Sequence, residues 1–229
     1  MRKSFFPIFL VCAARLASAD PSGSVEGTIK YAGARKPAAA IAVPKPMSAC
    51  GKSKAPPDLV LDADRALANA VVSVGGVANA PKPPPAAAKI DQKSCVYLPH
   101  VQAVPAGSKL TLINNDPLLH NVHARRGDLT LVNLAMPVQG QKLDAPSSVL
   151  AKPGVASFRC DAGHTWMSAY IHVFDHPYFA VTDEKGRFKI DGLPPGTYTL
   201  KIEHELLGSS TKSITITAGT ATTADVELE

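Results

Sequence analysis

An all-β fold is what this sequence predicts, on three observations. Short runs of alternating apolar and polar residues recur along the chain, each bounded by Gly, Pro, Asn or Asp. Long stretches with the i, i+3, i+4 spacing of an amphipathic helix are absent from the sequence. The 20 prolines are scattered between the runs, where a missing N–H does not interrupt a ladder. About 210 residues follow the leader described next, enough for one large or two small β domains.

Residues 1–19, MRKSFFPIFLVCAARLASA, start with Arg2 and Lys3, continue through an apolar run to Ala14 and end in Ala17-Ser18-Ala19. That is the pattern of a cleaved secretory signal peptide, so the expected location is periplasmic or secreted. The apolar run is too short to span a bilayer and no later segment is long enough, so no membrane span is expected. Cys12 follows the bulky Val11, which disfavours lipid attachment there. Losing the leader removes Arg2, Lys3 and Arg15 and no acid, which leaves 21 basic residues against 19 acidic ones. A nearly balanced chain offers neither a nucleic-acid stripe nor a polybasic membrane patch.

Residues 20–88 read as N-terminal strands followed by a Pro/Ala-rich linker. SVEGTIKYAG (Ser24–Gly33) alternates Val25, Gly27, Ile29 and Tyr31 on one face and closes in a turn, as an opening strand does. An apolar run lies around Val71–Val77. NAPKPPPAAAK (Asn79–Lys89) reads as loop, because proline cannot donate to a strand interior. Residues 89–176 carry sharper alternation, with strands on either side of Pro105-Ala106-Gly107 and again on either side of the loop at 160–167. Residues 177–229 form a separate unit, alternating through Phe188, Ile190, Tyr198, Leu200 and Ile202 around the turn Leu193-Pro194-Pro195-Gly196.

The densest chemistry lies in FRCDAGHTWM (Phe158–Met167). Counting back along the strand puts Phe158 and Ala156 on the same side as Cys160, and beyond the loop Met167, Ala169, Ile171 and Val173 share the apolar side. A thiol and a thioether thus end two inward faces, with His164 between them. LTLINNDPLLHN supplies a further imidazole, His120, at a strand end. Two imidazoles, a thiolate and a weak thioether form a donor set suited to copper in both oxidation states. Other histidines have ordinary roles: His123 and His172 face outward, His176 and His204 read as loop residues, and His100 shares a side with Val96 and Leu98 as a reserve ligand. Trp166 is a hydrophobic plug beside Met167. A local nucleophile signature is missing, so no enzymatic activity is expected.

On these residues the chain resembles the cupredoxin family, especially its plastocyanin and amicyanin branches. Asn114, Asn115, Asp116, His120 and Asn121 match the family's NND…HN loop. Pro153, Gly154, Phe158, Cys160, His164, Met167 and Val173 match its second segment. The resemblance covers roughly Tyr97–Phe174, with a Cys160-x3-His164-x2-Met167 spacing one residue longer, at Gly163, than in amicyanin. It implies a Greek-key β-sandwich that binds mononuclear copper and exchanges electrons with redox partner proteins. His120, Cys160 and His164 would be equatorial ligands, Met167 axial, and Asn121 a neighbour of the thiolate. The last fifty residues, through TDEKGRFKIDGLPPGTYTLKI, resemble the carboxypeptidase-regulatory or transthyretin-like module, a second small β-sandwich on which the opening strand can pack.

If Cys160 is a ligand, it must remain a free thiol in an oxidising compartment. The chain beyond the leader has three cysteines, so Cys50 and Cys95, both outside the motif, are expected to pair. Two other functions use the same sequence features. Copper sequestration or delivery needs the same ligands in an exchangeable site, and a metal-free structural or carbohydrate-binding sandwich needs none of them.

Overall fold

The computed structural model describes residues 22–44 and 49–229. The expected leader, with Cys12, lies outside the described residues. Among those described, no helix is long and apolar enough to cross a membrane.

The chain opens with β1 (Gly23–Tyr31), a small surface hairpin of β2 (Ile41–Ala42) and β3 (Ser53–Lys54), and β4 (Val71–Gly75). The next strands are β5 (Ala87–Lys93), β6 (Val96–Leu98), β7 (Val101–Pro105), β8 (Lys109–Asn114), β9 (His120–Arg126), β10 (Leu129–Met136), β11 (Gln141–Asp144), β12 (Gly154–Arg159) and β13 (Ser168–Phe174). The last are β14 (Phe179–Val181), β15 (Arg187–Leu193), β16 (Gly196–His204), β17 (Gly208–Ile216), β18 (Ala221–Thr223) and β19 (Val226–Leu228). The fold is all-β and consists of two sandwiches.

The first sandwich packs a sheet ordered β10-β9-β12-β13-β7 against one ordered β11-β8-β5-β6. Buried residues alternate with more accessible ones along β5, β8, β9 and β13, because successive side chains of a strand point to opposite faces. The inward set includes Ile90, Leu112, Val122, Phe158 and Ile171, each fully buried. Burying one such side chain contributes about 1.5–3 kcal/mol. One difference from the sequence reading is that Ala87, Ala88 and Lys89 belong to β5, not to the linker. Parallel pairing with β8 along Ala87–Gln92 gives these alanines a ladder that their composition does not signal.

The second sandwich draws on both ends of the chain. β1 pairs antiparallel with β15 and parallel with β18 and β19, while β4 lies between β14 and β16. Its core contains Ile29, Leu67, Leu193, Leu200 and Ile202. Gly27 is required where β1 passes the C-terminal segment, since a Cβ there would lie 2.5 Å from the Ala224 carbonyl oxygen.

A polar contact joins the sandwiches. His100 Nδ1 donates to the Ser168 carbonyl at 2.9 Å, and its Nε2 meets the Glu205 carboxylate. Within the first sandwich, Arg159 Nη2 donates to the Tyr170 hydroxyl at 2.5 Å. His204 is not a loop residue but the last residue of β16, and it is buried; packing of the two units covers it. Burial pushes both His172 and His204 below the usual imidazole range. Below about pH 6.5 the unfolded chain therefore takes up protons that the folded protein refuses, so stability falls as pH drops. Urea unfolding midpoints are expected to decrease between about pH 7 and about pH 5; a midpoint that rises over this range contradicts neutral buried imidazoles.

Candidate metal centre

The site forms at one end of the first sandwich. β8 ends at Asn114, whose buried side chain organises the loop that follows. Its Nδ2 donates to the Leu118 and Met136 carbonyls at 3.0 and 2.8 Å, and its Oδ1 accepts from the Asp116 N–H at 3.0 Å. The loop thereby delivers His120, the first residue of β9, into the core at 0% exposure. On the adjacent strand, β12 ends at Arg159 and the chain turns through 160–167. Gly163 takes φ +88°, which a residue with a Cβ adopts only with strain. That turn brings His164 back to Cys160, and the Met167 N–H closes it by donating to the His164 carbonyl at 2.9 Å.

Donor atoms of His120, Cys160 and His164 all lie within 4.8 Å of one another, and all three residues are buried. Cys160 Sγ is 3.5 Å from His164 Nδ1, and the two imidazole rings are 4.6 Å apart. Met167 is fully buried in the same core. Trp166 stands edge-on to His164 and donates its indole N–H to the Cys95 carbonyl at 2.7 Å.

Polar contacts around the cluster determine which nitrogens are available. His120 Nε2 donates to Asp116 Oδ2 at 2.8 Å, while its Nδ1 is buried with no hydrogen-bond partner. An orphaned buried nitrogen of this kind needs a partner, and a lone pair beside a thiol suits a soft or borderline metal ion. His164 is held below the usual imidazole range by burial and by the neighbouring His120, which keeps it neutral and able to ligate. Burial pushes the Cys160 thiol up, opposed by the N–H groups of Ala162, Asn121 and His164. Metal binding there displaces a proton. The donor set therefore fits a bound copper ion.

Asn121 fastens the cysteine loop to β9. Its Oδ1 accepts from the Asp161 N–H at 3.2 Å, its Nδ2 donates to Asn133 Oδ1 at 2.6 Å, and its carbonyl accepts from the Tyr97 hydroxyl. Burial and the nearby Cys160 hold the Tyr97 phenol well above its usual range.

One contributor, Asp116, does not stand out in the sequence. It reads there only as part of the NND…HN motif, although its i, i+4 spacing to His120 points to the site. It also accepts from the Ser94 and Cys95 N–H groups, both at 2.7 Å. These residues form the two-residue turn between β5 and β6, with φ +54° and +55°, a conformation that usually calls for Asn-Gly. The disulfide expected from the cysteine count also lies beside the site. Cys50 and Cys95 are bonded, and their sulfurs lie within 4.8 Å of a His164 ring nitrogen. Cys160 is the free cysteine among the described residues. His100, the reserve ligand, sits at the sandwich interface and not in the cluster. His123 faces outward, with Nδ1 on Asp161 and Nε2 on Thr130.

No curated protein matches the chain. Solved structures that overlap part of it include a purple cupredoxin from Nitrosopumilus maritimus, at 20% identity and TM-score 0.31, covering 38% of this chain and 99% of that one. Amicyanin from Paracoccus versutus overlaps at 18% identity and TM-score 0.33, covering 45% of this chain and 97% of that one. A copper-containing nitrite reductase from Thermus scotoductus overlaps at 20% identity and TM-score 0.32, covering 44% and 25%. By sequence, residues 162–229, from within the cysteine loop to the C-terminus, match the carboxypeptidase regulatory-like domain family, while the structural neighbours are cupredoxins.

Proposed function

We propose that the chain is an exported mononuclear copper protein that passes single electrons between redox partner proteins without transforming a substrate. The observation that carries this reading is the buried convergence of His120, Cys160 and His164, with His120 Nδ1 left without a partner. Copper bound there supplies a one-electron couple. His120, Cys160 and His164 would hold it, with the buried Met167 as a weaker thioether ligand. Asp116 orients His120 through Nε2, and Asn121 fixes the strand beside the thiol. Trp166 and the sandwich core keep water out.

Burial also favours electron transfer over copper delivery. An electron crosses a layer of packed side chains, whereas metal exchange requires the layer to open, and His164 is only 2% exposed. The metal-free sandwich reading leaves the orphaned imidazole nitrogens unexplained. Adding Cu(II) to the purified protein is expected to give an intense thiolate-to-copper visible band, absent from Cys160→Ser. An unchanged spectrum in that variant, with its fold verified by circular dichroism, removes Cys160 from the centre and the proposal with it.

A further inference from the structure

The Cys50–Cys95 disulfide lies against the candidate metal centre. We infer that, once it is reduced, the two thiols and His164 form a second site that binds monovalent copper. Both sulfurs and a His164 ring nitrogen lie within 4.8 Å of one another, and all three residues are buried. Ligands about 2.3 Å from a shared ion lie at most about 4.6 Å apart, so small side-chain adjustments suffice. His164 has a nitrogen to spare: Nδ1 faces Cys160 Sγ, while Nε2 is buried without a hydrogen-bond partner. Thiolates select Cu(I) over harder ions.

The two cysteines differ in how they are held. Cys95 occupies a turn whose N–H groups are bound by Asp116, contacts that do not involve the disulfide and so keep this sulfur in place. Cys50 is buried but flanked by exposed Ala49 and Gly51. Its segment forms the exposed β2–β3 pair, supported by the bond from the Val43 N–H to the Lys52 carbonyl and by Lys54 Nζ donating to the Ser94 carbonyl. A reductant therefore approaches this sulfur from the exposed β2–β3 side and not through the sandwich core.

The redox step is an ordinary exchange with a dithiol. One of its thiolates attacks a sulfur of the pair, the second attacks the resulting mixed disulfide, and the products are two cysteine thiols and an oxidised dithiol. Binding Cu(I) then releases thiol protons to solvent. This second site does not depend on copper binding at His120 and Cys160.

The test uses Cys160→Ser, which removes the thiolate of the first site. The variant is prepared oxidised, and reduced with a phosphine then desalted under argon, and each form is titrated with Cu(I) against bicinchoninate. The reduced form is expected to hold one equivalent at least about tenfold more tightly than the oxidised form, and adding His164→Ala to weaken the reduced form about tenfold. Cd(II) is expected to produce an ultraviolet thiolate-to-metal band in the reduced form alone. Equal Cu(I) affinity in the two forms, an affinity indifferent to His164→Ala, or no Cd(II) band overturns the inference. So does loss of the β circular dichroism signal on reduction, because the thiols are then no longer held beside the imidazole.

Discussion

Replacing Cys50 and Cys95 together with serine is expected to lower the stability of the apoprotein by about 4 kcal/mol. The two cysteines are 45 residues apart in sequence, and a cross-link over that distance removes much of the freedom of the unfolded chain. The β2–β3 pair is two residues long and exposed on Ile41, Ala42 and Ser53, so the bridge adds to what the packing of Cys50 and Val43 against the core supplies. Urea unfolding should show a lower midpoint together with a steeper dependence on denaturant, because the freed unfolded chain exposes more surface. A loss below about 1 kcal/mol contradicts the chain-entropy account.

Asp116→Ala is the second large effect. The carboxylate satisfies three donors, the Ser94 N–H, the Cys95 N–H and His120 Nε2, at a position 7% exposed. Hydrogen bonds to a charged group contribute about 1.5–3 kcal/mol each, and a buried donor left unpaired costs about 1–3 kcal/mol. Truncation should therefore destabilise the protein by about 4 kcal/mol, within the range for a broken buried network. Copper affinity should fall about 10–100-fold, because His120 loses the group that orients it. Ser94→Gly separates these roles. Glycine takes φ +54° without penalty, so adding it to Asp116→Ala should recover about 1 kcal/mol and none of the copper affinity. An Asp116→Ala protein with wild-type copper affinity shows that His120 needs no such anchor.

Much of the site is local and could be read from the chain. Cys160, His164 and Met167 belong to one loop, and alternation along β12 and β13 shows which residues turn inward. Gly163, the additional residue in that loop, adopts the positive φ that returns His164 toward the thiol. Asp116 was harder to identify, since a carboxylate in a polar loop reads as a solvated turn residue. It becomes a structural hub only when the Ser94-Cys95 turn, about twenty positions earlier, folds beneath it. His204 was misread for a similar reason: flanking glutamates suggest a loop, but β16 runs through to it and the other sandwich covers it.

The sequence by itself determined the all-β class, the inward faces of the long strands and the residues able to ligate a metal, because period-two alternation and short-range spacing are properties of neighbours in the chain. The tertiary structure decided which strands meet. β1 pairs with β15, β18 and β19, and β4 enters between β14 and β16, so that the N-terminal strands complete the C-terminal sandwich. It also decided that the disulfide lies against His164 and that His100 bonds Glu205 instead of joining the ligand cluster. Alternation shows which face of a strand is buried but not what buries it, since many partners can cover the same apolar face. Packing of the whole chain selects among them, through contacts between residues far apart in sequence.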